Sequence, residues 1–206
     1  MEQRFPLTRG SRVVLATKNR DKLEEFRRLL PELDIISLDA YPWVELPPEG
    51  DRSFRENALS KARACMRATG MASLADDSGL VVDALGGAPG VMSARYSGQD
   101  ASDADNLRLL LRNLSEVEPS HRSARFVCVL ALVAPEGEWV FEGVCEGEIA
   151  LKPAGSNGFG YDPVFIPRGS SRTFAEMCPR EKDIYSHRAR AAFKLKLAMT
   201  CGGGLC

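Results

Sequence analysis

The sequence predicts an α/β fold with a mixed β-sheet. Three observations lead to the mixed sheet. Strand-length apolar runs alternate with helical spacings at the start of the chain, giving a β-α-β opening. RFVCVLALVA (125–134) is almost unbroken apolar, as a strand buried on both faces must be. PEGE then turns that run into WVFEGVCEGEIA, which alternates in character. An antiparallel hairpin therefore joins a sheet that begins parallel.

Each element follows from local chemistry. RVVLAT (12–17) is the first strand. KNRDKLEEFRRLL (18–30) has helical spacing at Leu23, Phe26, Leu29 and Leu30, with Asn19 placed to cap it. IIS (35–37) is a second strand, and the prolines of YPWVELPPEGD (41–51) require a loop. Ser53 and Glu56 form a capping box that opens a helix running to about Gly70. SLADDSGL (73–80) is a strand expected to end at its two aspartates, because a buried strand would have to hide one of the charges. VVDALGGAPG is a loop, and Asp103 to Leu114 is a helix carrying Leu107, Leu110, Leu111 and Leu114. After the GSNGFGYDP loop, one helix is expected from about Lys182 to Met199.

Composition bounds the function. The chain has 206 residues, 44% of them hydrophobic, enough for a substantial core in one domain or two closely joined lobes. Residues 1–12 are expected as a short disordered lead-in without a secretory signal, 13–200 as the single domain and 201–206 as a flexible tail. A net charge of −1 lacks the basic excess of a general nucleic-acid or acidic-membrane binder. No stretch approaches the roughly 18 apolar residues of a spanning helix. Six cysteines form no CxxC pair and only two histidines occur, so the usual zinc spacings are absent. The chain is expected to be reduced and cytoplasmic, although Cys201 and Cys206, flanking GGGL in the tail, could oxidise.

Four stretches are richer in polar groups than their positions require. Thr17, Asn19 and Lys22 lie where the first strand meets the first helix. There, unpaired N–H groups and the positive end of the dipole suit a phosphate, although a plain helix cap has the same residues. Asp76 and Asp77, with Glu49 as a third carboxylate, suit Mg²⁺, a hard cation that takes oxygen ligands; one of them would accept a proton from water. The alternative is a turn completed by Ser78 and Gly79. GFGYDPVF (158–165) lets backbone approach a ligand and offers Phe159 for stacking on a base. Ser186-His187-Arg188, with Lys182 one turn earlier, supplies donors. Together these four make the inventory of a nucleoside triphosphate site.

The motifs VLATKNRDKLEEF, FRENALSKA, LADDSGLVVDALGGAPGVMSARYSG, NGFGYDPVF and EKDIYSHRA occur in the order of one family. Across about Val13 to Leu197 the chain resembles the inosine triphosphate pyrophosphatase family, which removes aberrant purine nucleotides such as ITP, dITP and XTP. The resemblance implies an elongated mixed β-sheet flanked by helices, in two lobes with a nucleotide cleft between them, and Mg²⁺-dependent hydrolysis to the monophosphate and pyrophosphate by a homodimer. It implies that Thr17, Lys18, Asn19, Arg20, Asp21 and Lys22 hold the phosphates, with Lys61 adding charge. Glu49 and Asp77 would hold Mg²⁺, with Asp77 also the proton acceptor and Asp76 supporting it. Ser78 would touch substrate, and Phe159, Gly160, Tyr161, Asp162, Lys182, His187 and Arg188 would form the base pocket. The chain departs from the family pattern at Cys178-Pro179-Arg180, where a polar-acidic lead into the lysine is usual.

Hydrogen bonding supports that substrate class. Inosine and xanthosine carry an acceptor oxygen at purine C6, where adenine has an amino donor, and a buried mismatch costs about 1–3 kcal/mol. Two other readings compete: a related pyrophosphatase for pyrimidine or modified nucleotides, and a nucleotide sensor without turnover. A sensor gains nothing from carboxylates beside a polyphosphate unless a metal is present, so Asp76 and Asp77 favour the enzyme.

Overall fold

The structure is a computed structural model that describes residues 5–51 and 53–201. Val13, Val14 and Leu15 are fully buried in β1 (Arg12–Leu15), which pairs in parallel with β2 (Asp34–Ser37), Val14 opposite Ile36. On its other side β1 runs parallel to β3 (Ser73–Val82), Leu15 opposite Leu74. The helix between β1 and β2 is α1 (Arg20–Leu29), and Asn19 caps it by accepting the Lys22 N–H. α2 (Phe54–Thr69) starts at Ser53, whose hydroxyl accepts the Glu56 N–H, and stops at Gly70, which takes the left-handed conformation that glycine adopts without strain. α3 (Asp103–Asn113) begins with both halves of a capping box, Ser102 and Asp105.

β4 (Ser123–Ala134) and β5 (Gly137–Ile149) are sheet neighbours joined by Pro135-Glu136 alone, a connection only antiparallel strands permit. A short strand, β6 (Phe165–Pro167), pairs antiparallel with β5, Ile166 opposite Glu148. The sheet is thus mixed and six-stranded, ordered β2-β1-β3-β4-β5-β6. The sequence did not betray β6, because three residues are too few for a pattern.

The chain forms two compact units. The first comprises Met1–Asp77, Cys128–Gly143 and Arg188–Cys206; the second comprises Ser78–Val127 and Val144–His187. The first has a core of β1, α1, β3 and β4 side chains, including Leu15, Phe26, Leu74, Leu130 and Leu132. The second packs Leu80, Leu110, Leu114, Phe126, Phe165 and Phe174 around its own centre.

Four expectations need correction. Asp76 and Asp77 do not end a strand: β3 runs on to Val82, and both carboxylates are buried in it, because each meets a cation. The expected long helix is two, α4 (Pro179–Tyr185) and α5 (His187–Thr200), broken where Ser186 turns to extended backbone. The lead-in is ordered from Phe5. Phe5 and Leu7 are buried, and the Phe5 ring lies edge-on to Trp139 at 5.3 Å. Residues 1–4 lie outside the described residues, as does nearly all of the predicted 201–206 tail. Finally, Cys201 is disulfide-bonded rather than reduced, whereas Cys65, Cys128, Cys145 and Cys178 are free thiols; Cys206 lies outside the described residues. Among the described residues no helix is long and apolar enough to cross a membrane.

Candidate active site

The pleat of β3 sends neighbouring side chains to opposite faces, and this divides the two aspartates between two sets of partners. Asp76, 1% exposed, meets Lys22 of α1, with Nζ 3.1 Å from Oδ2, and the Arg188 Nε at 3.6 Å. Arg188 also pairs through Nη1 with Glu25 Oε2 at 3.0 Å, a buried ion pair between α1 and α5. Asp77, 4% exposed, meets α2: Lys61 Nζ donates to Oδ1 at 3.1 Å and Asn57 Nδ2 to Oδ2 at 3.0 Å.

Lys61 Nζ reaches a second carboxylate, Glu49 Oε1, at 2.6 Å, so the ammonium is shared by a loop residue and a strand residue. Burial and the adjacent charges set the titration of this trio. Burial, opposed by Lys61 but reinforced by Glu49, pushes the Asp77 carboxyl up to about 6. Burial also works against Glu49, but Lys61 holds it below the usual carboxylate range. For Lys61, burial is outweighed by Asp77, Asp76 and Glu49, which raise its pKa.

These residues fit a divalent cation of the magnesium type. Glu49 and Asp77 both reach the one ammonium of Lys61, so their carboxylates converge on a common point. Among the described residues no group of three His, Cys, Asp or Glu side chains gathers as a metal cage. Two carboxylates are what Mg²⁺ needs when waters and substrate phosphates complete its shell.

The predicted phosphate segment is built as a helix start. Thr17 Oγ1 accepts the Asn19 N–H at 3.2 Å, and Lys18, Asn19, Arg20 and Asp21 are exposed around the first turn of α1. Lys22 is half-buried, its charge on Asp76. Ser78 follows Asp77 along β3 and is half-buried.

The second unit holds the predicted base-binding loop. Asp162 Oδ2 accepts the Phe159 N–H at 3.0 Å and the Lys182 Nζ at 2.6 Å, pinning the turn and burying an ion pair at once. The Lys182 ammonium lies 5.1 Å from the Phe159 ring centre and 5.5 Å from that of Phe174, within cation–π range. Gly158 has φ +74°, and a Cβ there would fall 2.0 Å from Asp162 Oδ2, so only glycine fits. The Gly160 N–H donates to Asp103 Oδ2 at 2.6 Å. Tyr161 instead faces the core, its hydroxyl donating to the Ser93 carbonyl at 2.9 Å. His187 is buried and stacked on Phe126, ring centres 4.7 Å apart.

The structure thus brings Lys61, Glu49 and Asp77 together, and Phe159, Asp162 and Lys182 together. It places the Arg188 guanidinium with Asp76 and Glu25. Sequence reasoning missed Asn57, Glu25 and Asp103. For Asn57 a signal existed: an amide on a helix face that otherwise carries Ala58, Ala62 and Cys65 toward the core.

Fold and site together define an α/β protein whose buried strand carries paired carboxylates around a shared ammonium. The chain belongs to the Ham1 family, the inosine triphosphate pyrophosphatase family of the resemblance above; the family model matches residues 13–198. It is 48% identical over 186 residues to a dITP/XTP pyrophosphatase of Streptomyces avermitilis, covering 88% of this chain and 93% of that one. It is 50% identical over 186 residues to a dITP/XTP pyrophosphatase of Mycobacteroides abscessus, covering 87% and 90%. Among solved structures it is similar to a HAM1 protein from Coxiella burnetii, with a TM-score of 0.83 and 43% identity over 92% of this chain and 98% of the other.

Proposed function

We propose that this protein hydrolyses ITP, dITP and XTP to the nucleoside monophosphate and pyrophosphate, with Mg²⁺, and so cleanses the nucleotide pool of aberrant purines. The observation that carries the reading is the Glu49–Lys61–Asp77 cluster, two carboxylates and an ammonium gathered at one buried strand. The dITP/XTP pyrophosphatases to which the chain is similar support the substrate class.

The chemistry follows from the side chains. The exposed start of α1, Thr17 to Lys22, offers N–H groups, a hydroxyl and positive charge to the polyphosphate. Lys182 and the Phe159 ring offer a donor and a stacking face to the base. Glu49 and Asp77 would hold Mg²⁺, which when bound supplies positive charge to the phosphate oxygens. Asp77, with its affinity for protons raised by burial, takes the proton of the attacking water. The water oxygen bonds to the α-phosphorus, the bond from that phosphorus to the bridging oxygen breaks, and the bridging oxygen leaves with pyrophosphate. Lys61 stays charged beside the reacting groups.

A homodimer in the cytoplasm completes the proposal, on the family resemblance. Incubating the protein and Mg²⁺ with a panel of nucleoside triphosphates tests the reaction. Stoichiometric pyrophosphate from ITP, dITP and XTP, with little from ATP, is expected. Nucleoside diphosphate with orthophosphate would overturn it.

A further inference from the structure

Asn57, 6% exposed, spends its amide on two different parts of the first unit. Its Oδ1 accepts the Gly50 N–H at 2.8 Å, and its Nδ2 donates to the Gly50 carbonyl at 3.1 Å. The remaining Nδ2 hydrogen goes to Asp77 Oδ2 at 3.0 Å. One side chain thus grips the backbone immediately after Glu49 and also holds the carboxylate of Asp77. The loop leading to Glu49 is irregular from Glu45 to Asp51, so this grip supplies an orientation that secondary structure does not.

A second asparagine in the chain separates the structural duty from the functional one. Both α2 and α3 begin Ser-x-x-acid-Asn: Ser53, Glu56 and Asn57 in one, Ser102, Asp105 and Asn106 in the other. Asn106 is also buried and also grips loop backbone, accepting the Ser97 N–H at 2.8 Å and donating to the Ala94 carbonyl at 3.0 Å. Tying a loop to a helix start therefore needs no carboxylate. Asn57 alone of the pair adds one, and it is a carboxylate whose neighbour on Lys61 belongs to the gripped loop.

We propose that Asn57 is the positioning residue that sets Glu49 and Asp77 against each other as a cation-binding pair, a role that rests on the function proposed above. Groups that orient metal ligands carry about 10–100-fold in metal affinity or activity. Asn57→Ala is expected to raise the Mg²⁺ concentration for half-maximal ITP turnover by about 10–100-fold, with most of the turnover recovered at saturating Mg²⁺. Mn²⁺ binding without nucleotide, followed by loss of the free-ion paramagnetic resonance signal, should weaken in parallel. Asn106→Ala removes a comparable backbone grip and should lower the melting temperature, yet leave both metal measurements as they are in the unaltered protein. Gly50→Pro, in an exposed loop, deletes the N–H that Asn57 holds and should weaken Mn²⁺ binding in the same direction.

Equal metal shifts in the two asparagine variants would reduce Asn57 to a fold-stabilising residue and overturn the inference. So would unchanged Mn²⁺ binding in Gly50→Pro, even if Asn57→Ala failed to fold. Normal metal behaviour of Asn57→Ala beside Mg²⁺-dependent turnover in the unaltered protein sinks this inference alone. Absence of Mg²⁺-dependent pyrophosphate release from the unaltered protein sinks the proposed function, and this inference with it.

Discussion

Asp76 and Asp77 share a peptide bond but not an electrical environment, and Asp77→Asn exploits the difference. The variant keeps the shape and leaves Lys61 paired with Glu49 at 2.6 Å, but removes the charge and basicity of the carboxylate. ITP turnover is expected to fall by roughly 10²–10⁴-fold, the contribution of a general base. Stability should move the other way. Burial raises the folded pKa of Asp77 from 3.8 to about 6, so the metal-free protein gains stability that is complete below pH 3.8 and is lost as pH rises through about 6. Asparagine does not titrate and avoids that loss. At neutral pH without metal the variant should melt higher, by about 2–4 °C for each kcal/mol recovered. Melting curves across pH 4–8, beside the turnover assay, check both. A variant with near-normal turnover would remove Asp77 from catalysis.

The presence of this site was legible in the residues, and its depth was not. Two adjacent carboxylates and a lysine-bearing helix start are visible in the letters. That Lys22, Lys61 and Arg188 come from three different helices to neutralise them inside a strand is a matter of tertiary placement. The resemblance puts Arg188 in the base pocket; that its guanidinium meets Asp76 and Glu25 is visible only in the fold.

Among the elements, the turn Gly158–Asp162 shows how a loop can be as exacting as a core. Gly158→Ala would drive a methyl group into Asp162, which holds both Lys182 and the Phe159 N–H. The backbone conformation alone costs about 1 kcal/mol for alanine, and the clash adds to it. KM for ITP should rise more than kcat falls, because contacts to the base contribute to substrate and transition state alike. Steady-state kinetics on ITP decide this, and an unchanged KM would separate the turn from base recognition. Helices with strong caps were foreseeable to within a residue or two: Asn19 and Ser53 start α1 and α2 where expected. The break at Ser186 was missed because serine, although a favoured helix cap, sits here in an otherwise helix-compatible run and reads equally as helix interior. The continuation of β3 past its aspartates was hidden because charge in a strand argues for an end until the partners are known.

For the molecule as a whole, the α/β class and mixed sheet followed from periodicity and from the apolar 125–134 run. Two lobes were expected on the resemblance alone, and their boundaries did not follow from periodicity, because no linker marks them. The boundaries fall inside β3 at Asp77/Ser78, inside β4 at Val127/Cys128 and inside β5 at Gly143/Val144, with a fourth just after His187, the first residue of α5. Hydrophobic patterning is continuous across all three strands, so composition offers nothing to divide on.

That interleaving has a consequence for how the protein is made. Its first unit opens with β1, the earliest strand to leave the ribosome, yet its core needs Ala191, Ala192 and Leu195 of α5, translated after every strand. A polypeptide emerging in order cannot finish that unit first, although domains generally fold as they emerge. The second unit, Ser78–Val127 and Val144–His187, is complete with the first residue of α5. Nascent chains stalled with residue 187 outside the tunnel should therefore show protease protection in the second unit while β1 and α1 remain cleavable. Release through Thr200 should protect both. Early protection of β1 and α1 would mean that the core around Leu15 and Phe26 closes without its final helix.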